Sequence, residues 1–147
     1  MKLEIILPPA PRGCDRNNGK IGIAASKPNR QARYIAKMRT LEAMRDQGVR
    51  AGETPLFMKL TVFDKTGKMD LDNAVATYKH YQDGIFDALE VNDRNIRELH
   101  AVKVISPAAH RWTRCVLTNS PHVLEKECCT PMEGVDKVLE MVKGDAR

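Results

Sequence analysis

Short apolar runs and two helix-length periodic stretches alternate along the chain. Leu3 to Leu7 is an apolar run ended by Pro8-Pro9, which predicts a first strand. Residues 10–26 then lose all periodicity. They carry Gly13, Gly19, Gly22 and Asn17-Asn18, the composition of a long loop. Ser26 can cap a following helix, and Pro28 suits a first turn because its missing N–H would be unpaired there. Tyr34, Ile35, Met38 and Leu41 mark an apolar stripe on that helix, and Gly48 is its expected stop after Gln47.

Phe57 to Phe63 predicts a second strand. Met58, Leu60 and Val62 share one face, and Phe57, Thr61 and Phe63 share the other. A basic turn, Lys65 to Lys68, leads into Asp70-Leu71-Asp72-Asn73. A second helix is expected from about Asn73 to Leu89, with Tyr78, Tyr81, Ile85 and Leu89 on its buried side. Glu98 to Ile105 and Trp112 to Thr118 read as two further strands joined by a turn at Ser106-Pro107. Pro131 is the expected opening of a last helix carrying Val135, Val138, Leu139 and Val142 on one side. The predicted order is strand, helix, strand, helix, strand, strand, helix. It describes an α+β fold in two layers, a mixed β-sheet packed by helices. Residues 1–120 form the main unit, and 121–147 extend that same single domain.

A length of 147 residues suits one domain with a modest core. No run approaches the roughly 18–20 apolar residues of a membrane helix, so no membrane association is expected. The N-terminal apolar stretch is too short for a signal peptide and Glu4 interrupts it, so a cytoplasmic location is expected. Four cysteines fit that compartment as reduced thiols, with no Cys-x-x-Cys pair. A metal site from His122, Cys128 and Cys129 is the alternative.

Charge changes the picture more. From Arg12 to Arg50 there are ten Lys or Arg and three acids, a balance of +7. The whole chain is +5, which leaves −2 for the rest. A basic first third beside an acidic remainder predicts a polyanion-binding surface next to an acidic site. The candidates for phosphate contact are Arg12, Arg16 and Lys20 in the loop, Lys27, Arg30, Arg33 and Lys37 on the first helix, and Lys65 and Lys68 in the basic turn. Arg30, Arg33 and Lys37 are three and four apart and so share a face. A merely solvated basic face is the competing reading.

Asp70 and Asp72 would point to one side of an extended segment, with Leu71 turned into the core between them. Two carboxylates on one side can share a hard cation such as Mg²⁺. Helix angles put Lys79 and Asp83 on the same side as Asp72, with Asp87 near it. Lys79 then either stabilises charge on a phosphate or pairs with Asp83, four residues on. Asp93 returns toward the pair if the strand after it lies beside the strand ending at Phe63. Asp-x-Asp spacing alone leaves a second reading open, in which Asp72 merely caps the second helix.

The run Met69-Asp70-Leu71-Asp72-Asn73, then Ile85-Phe86-Asp87-Ala88-Leu89, then Asn92-Asp93 before a strand, resembles the RusA family of Holliday-junction resolvases. The resemblance covers about residues 1–118. It implies a RusA-like fold and a cytoplasmic, homodimeric, Mg²⁺-dependent endonuclease of phage or prophage type, with Mn²⁺ as a substitute. Its substrates would be four-way DNA junctions and other branched DNA in recombination and repair. Carried over by position, Asp70, Asp72 and Asp93 match the metal-binding carboxylates, and Lys79 is the candidate for the family's lysine. Asn73 and Asp87 match motif residues of structural role. Three departures stand out. The Asp72-to-Phe86 spacing is about seven residues longer than the family's, close to two helical turns. Lys79 lies one turn from either expected lysine position. Asn92 stands where an acid is common. A catalytically inactive branched-DNA-binding protein on the same fold is the runner-up expectation. A phosphoryl-transfer enzyme acting on a small substrate is the third, and the basic N-terminal third argues against it.

Overall fold

The computed structural model describes residues 1–11, 14, 23–64, 67–68, 70–105 and 112–128. The elements run β1 (Lys2–Leu7), α1 (Ile23–Gln47), β2 (Phe57–Asp64), α2 (Leu71–Thr77), α3 (Lys79–Leu89), β3 (Glu98–Ile105), β4 (Thr113–Thr118) and α4 (Pro121–Cys128). A 3-10 turn over Asp93–Asn95 precedes β3. The strands form one mixed sheet in the order β1-β4-β2-β3. β4 is antiparallel to both β1 and β2, while β3 runs parallel to β2. The parallel pair needs a crossover, and α2 with α3 supplies it.

β2 is buried along nearly its whole length because it lies inside the sheet and is covered on both faces. Met58, Leu60 and Val62 join Leu3, Ile5, Leu7, Cys115 and Leu117 in the main core, beneath α1 and α3. Phe57 packs on the other face with Val116 and Leu124 of α4. The two predicted faces of this strand are therefore the observed ones. Cys14 and Cys115 are free and buried, and burial pushes the Cys115 thiol up to about 12, as for an inert core thiol.

The first helix departs from its expected face. Among its described side chains the buried ones are Ala32, Ala36, Thr40 and Met44, a row of fours. Tyr34 is 65% exposed, Met38 41% and Leu41 40%, so most of the stripe predicted for the core faces outward. The cause lies on α3. At Gly84 a Cβ would sit 2.1 Å from the Arg33 carbonyl oxygen and 2.9 Å from the Ala36 Cβ. The two backbones approach so closely that only small residues fit, and large side chains are turned to the far side. The Thr40 hydroxyl, buried in this seam, donates to the Ala36 carbonyl oxygen at 2.7 Å.

α1 also starts three residues before Ser26, which places Pro28 inside the helix at the loss of one backbone bond. Its end is as predicted. Gly48 takes φ +69, and the Val49 N–H reaches the Met44 carbonyl oxygen at 2.9 Å. α3 closes in the same way with a poorer residue, since Glu90 holds φ 57 and the Val91 N–H bonds Phe86.

The single predicted second helix is two. α2 begins at Leu71, and Tyr78 (φ −87, ψ 2) separates it from α3. β3 and β4 occupy the predicted residues but are not neighbours, because β2 lies between them. The Ser106-Pro107 turn and the helix expected from Pro131 lie outside the described residues. α4 was missed, although Ser120-Pro121 is an ordinary cap-and-first-turn signal. Among the described residues no helix is long and apolar enough to cross a membrane.

Candidate functional site

The acidic motif follows β2 directly. Its loop is tethered to β3, where the Lys103 ammonium donates to the Gly67 carbonyl oxygen at 3.2 Å and Ile105 lies against Gly67. Gly67 has φ +69, a backbone conformation that suits glycine. Neither Lys103 nor Ile105 stood out in the sequence, because each reads simply as part of an apolar strand. Asp64, the last residue of β2, is a buried acid that the sequence reading passed over.

Asp70 sits at the N-cap of α2 with an extended backbone, but its side chain makes no capping bond. Asp72 is the second residue of α2. The motif is thus helical from Leu71 onward. The extended geometry expected to align the two carboxylates is replaced by a helix start. Leu71 is correspondingly exposed, at 40%, and does not anchor the pair in the core. The capping alternative fares no better, since no side-chain cap bond closes this helix. Both carboxylates are exposed, and among the described residues neither has a hydrogen-bond or ion-pair partner.

Asp93 opens the 3-10 turn before β3 and is exposed. β3 does lie beside β2, the condition for Asp93 to return. What it meets is Lys79, whose Nζ is 3.0 Å from Asp93 Oδ2 and 2.9 Å from Asp83 Oδ1. The pairing with Asp83 is therefore realised, and Asp93 is a second partner. The hydrogen bond to Asp83 is the main cause that raises the Lys79 pKa above its ordinary value, with Asp93 adding to it. Asn92, the residue standing where an acid is common, accepts the Arg94 N–H at 2.9 Å and caps the turn that presents Asp93.

Among the described residues no group of three or more His, Cys, Asp or Glu side chains is gathered closely enough to hold an ion. Mg²⁺ does not require such a cage. It is commonly held by one or two carboxylates, several waters and the phosphates of a substrate. The oxygen donors of Asp70 and Asp72, exposed and uncommitted, suit that mode.

The basic candidates divide. Lys27, Arg30, Arg33 and Lys37 lie exposed on α1, and Lys68 is exposed beside the acidic motif. Arg12, Arg16, Lys20 and Lys65 lie outside the described residues. Arg33 is already engaged. Its guanidinium grips Asp87 of α3 through two bonds of 2.5 and 2.7 Å, which hold Asp87 below the usual carboxylate range and raise Arg33 itself. Asp87 therefore faces α1 and does not join the Asp70/Asp72 side. Lys37 lies close enough to Asp87, and Asp83 to Arg33, for each to act on the other electrostatically. Charges alternate from Lys37 through Asp87, Arg33, Asp83 and Lys79 to Asp93, so the basic helix and the acidic turn are electrostatically contiguous.

No protein-family model matches this chain, and no curated protein does either.

Proposed function

We propose that the protein is a Mg²⁺-dependent, structure-selective endonuclease that cuts branched DNA, four-way junctions above all, in the manner of the RusA family its acidic motif resembles. The observation that carries the reading is the contact of Lys79 with Asp93. It joins the helix that follows the Asp-Leu-Asp-Asn motif to the turn that holds the third acid. Contiguity of that pair with the basic face of α1 supports it further.

In this reading Asp70, Asp72 and Asp93 would hold the cation, which when bound would supply a deprotonated water and neutralise charge on a phosphodiester. Lys79 stabilises the negative charge that grows on the phosphate, which an ammonium does well only when fixed in place beforehand. Lys27, Arg30, Lys37 and Lys68 hold neighbouring phosphates by charge and shape, so binding falls steeply with salt. A two-fold homodimer places two such sites across a symmetric junction and nicks paired strands. The enzyme works in the cytoplasm, where its substrate is.

A synthetic four-way junction incubated with and without Mg²⁺ tests this directly, with both strands read. Paired nicks that require the ion and vanish in Asp70→Asn, with junction binding retained, are the expected result. Normal cutting by that variant would falsify the assignment. One observation favours a second reading, a junction-binding protein without turnover: no three carboxylates are drawn together among the described residues. That protein would bind the junction and leave it whole in both Mg²⁺ and Mn²⁺.

A further inference from the structure

We propose that Asp83 is a positioning residue that holds the Lys79 ammonium at the candidate site, so that Lys79 stays in place when the Asp93 carboxylate turns to another partner. The proposal rests on the nuclease reading for what Lys79 does, though not for how it is held.

Lys79 is the first residue of α3, and Asp83 lies one turn further on the same face. Nζ is 2.9 Å from Asp83 Oδ1 and 3.0 Å from Asp93 Oδ2. The two acids are not equivalent. Asp83 belongs to the same rigid helix as Lys79 and its side chain is 28% exposed, whereas Asp93 sits on a short turn and is 48% exposed. The other oxygen of Asp83 faces the His80 ring, with Nδ1 at 3.7 Å, and Arg33 acts on Asp83 electrostatically from α1. Asp83 therefore has the His80 ring and the field of Arg33 near it besides Lys79, and Asp93 has Lys79 and its own turn.

A lysine side chain left to itself samples many rotamers, and a carboxylate one turn along its own helix narrows that range. Two carboxylates meet Lys79, and the one on its own helix remains when Asp93 is engaged elsewhere. An ammonium has three N–H donors, so one is left after both carboxylates are served. Release of Asp93 frees a second. These donors are what a phosphate oxygen needs, and Asp83 keeps them at the site.

The test uses the full chain with Asp83→Asn, Asp83→Glu, Lys79→Met and the Asp83→Asn/Lys79→Met double variant. The first readout is the rate at which an amine-acylating reagent labels Lys79 at fixed pH, followed by mass spectrometry. The expected result is about threefold faster labelling in Asp83→Asn and near-normal labelling in Asp83→Glu. The second readout is single-turnover cleavage at saturating junction. Asp83→Asn should slow it about fivefold with the junction Kd within twofold, and should add no further loss in the Lys79→Met background. Unchanged labelling in Asp83→Asn overturns the proposal, as does an equal cleavage loss with and without Lys79. If the wild type cuts no junction, the nuclease reading falls, and the labelling result still decides whether Asp83 holds Lys79.

Discussion

Between α1 and α3 two backbones meet so closely that one added methyl group has nowhere to go. At Asp70 and Asp72, by contrast, two carboxylates stand in solvent with no partner among the described residues. The first region is determined many times over, by Ala32, Ala36, Thr40, Gly84 and the Arg33–Asp87 grip. The second is held only through its backbone, by the tether to β3 and the helix start. One region is closed to any added atom, and the other is open to solvent. The contrast also divides the charged residues. Arg33 belongs to the scaffold although it lies on the basic face, whereas Lys37 on the same helix is exposed.

The sharpest way to break the contrast is at the seam. Gly84→Val should cost about 3 kcal/mol or more of stability, because neither the Arg33 carbonyl nor Ala36 can retreat far. Chemical denaturation measures it, and a loss below 0.5 kcal/mol would mean that the helices are not locked. On the rim the opposite holds. Asp70→Asn should lower junction cleavage at least a hundredfold, about 2.7 kcal/mol in barrier, yet shift stability by less than about 0.5 kcal/mol. A large stability loss there would turn the acid into a structural residue.

Smaller effects sharpen the division within the basic face. Asp87→Asn should cost about 1 kcal/mol or less, since the pair is partly exposed. Arg33 holds the folded Asp87 pKa below its unfolded value. The stability it contributes is therefore complete above the ordinary Asp range, near 4, and is lost as pH falls through the depressed folded value. Melting curves of the two proteins should converge below that point and separate above it. Lys37→Ala should leave the melt unchanged and weaken junction binding, with the salt-dependence slope falling by about 0.9. Glu90→Gly is the mildest. It relieves a positive φ at the end of α3 and should stabilise the protein by about 0.5 kcal/mol or a little more.

The sequence by itself determined what depends on neighbours along the chain. The strands at Leu3–Leu7, Phe57–Phe63 and Glu98–Ile105 were legible because alternation and β-branched residues are local signals. The stop at Gly48 was legible because a left-handed cap favours glycine. The pairing of Lys79 with Asp83 was legible too, since residues four apart on a helix share a face. Tertiary structure decided the rest. Which face of α1 is buried could not be read from hydrophobicity. The deciding fact is Gly84, 52 residues beyond Ala32, whose missing side chain makes a row of small residues the better core. The break at Tyr78 likewise depends on burial of Tyr78 and Tyr81 against the core. Lys79 could not be assigned to one partner from its position along a helix. Its reach to Asp93 exists only because the crossover sets β3 parallel to β2 and brings the turn before β3 back to the start of α3. Local periodicity marks which segments become strands and helices, while the distance between two backbones settles which side of α1 becomes the inside.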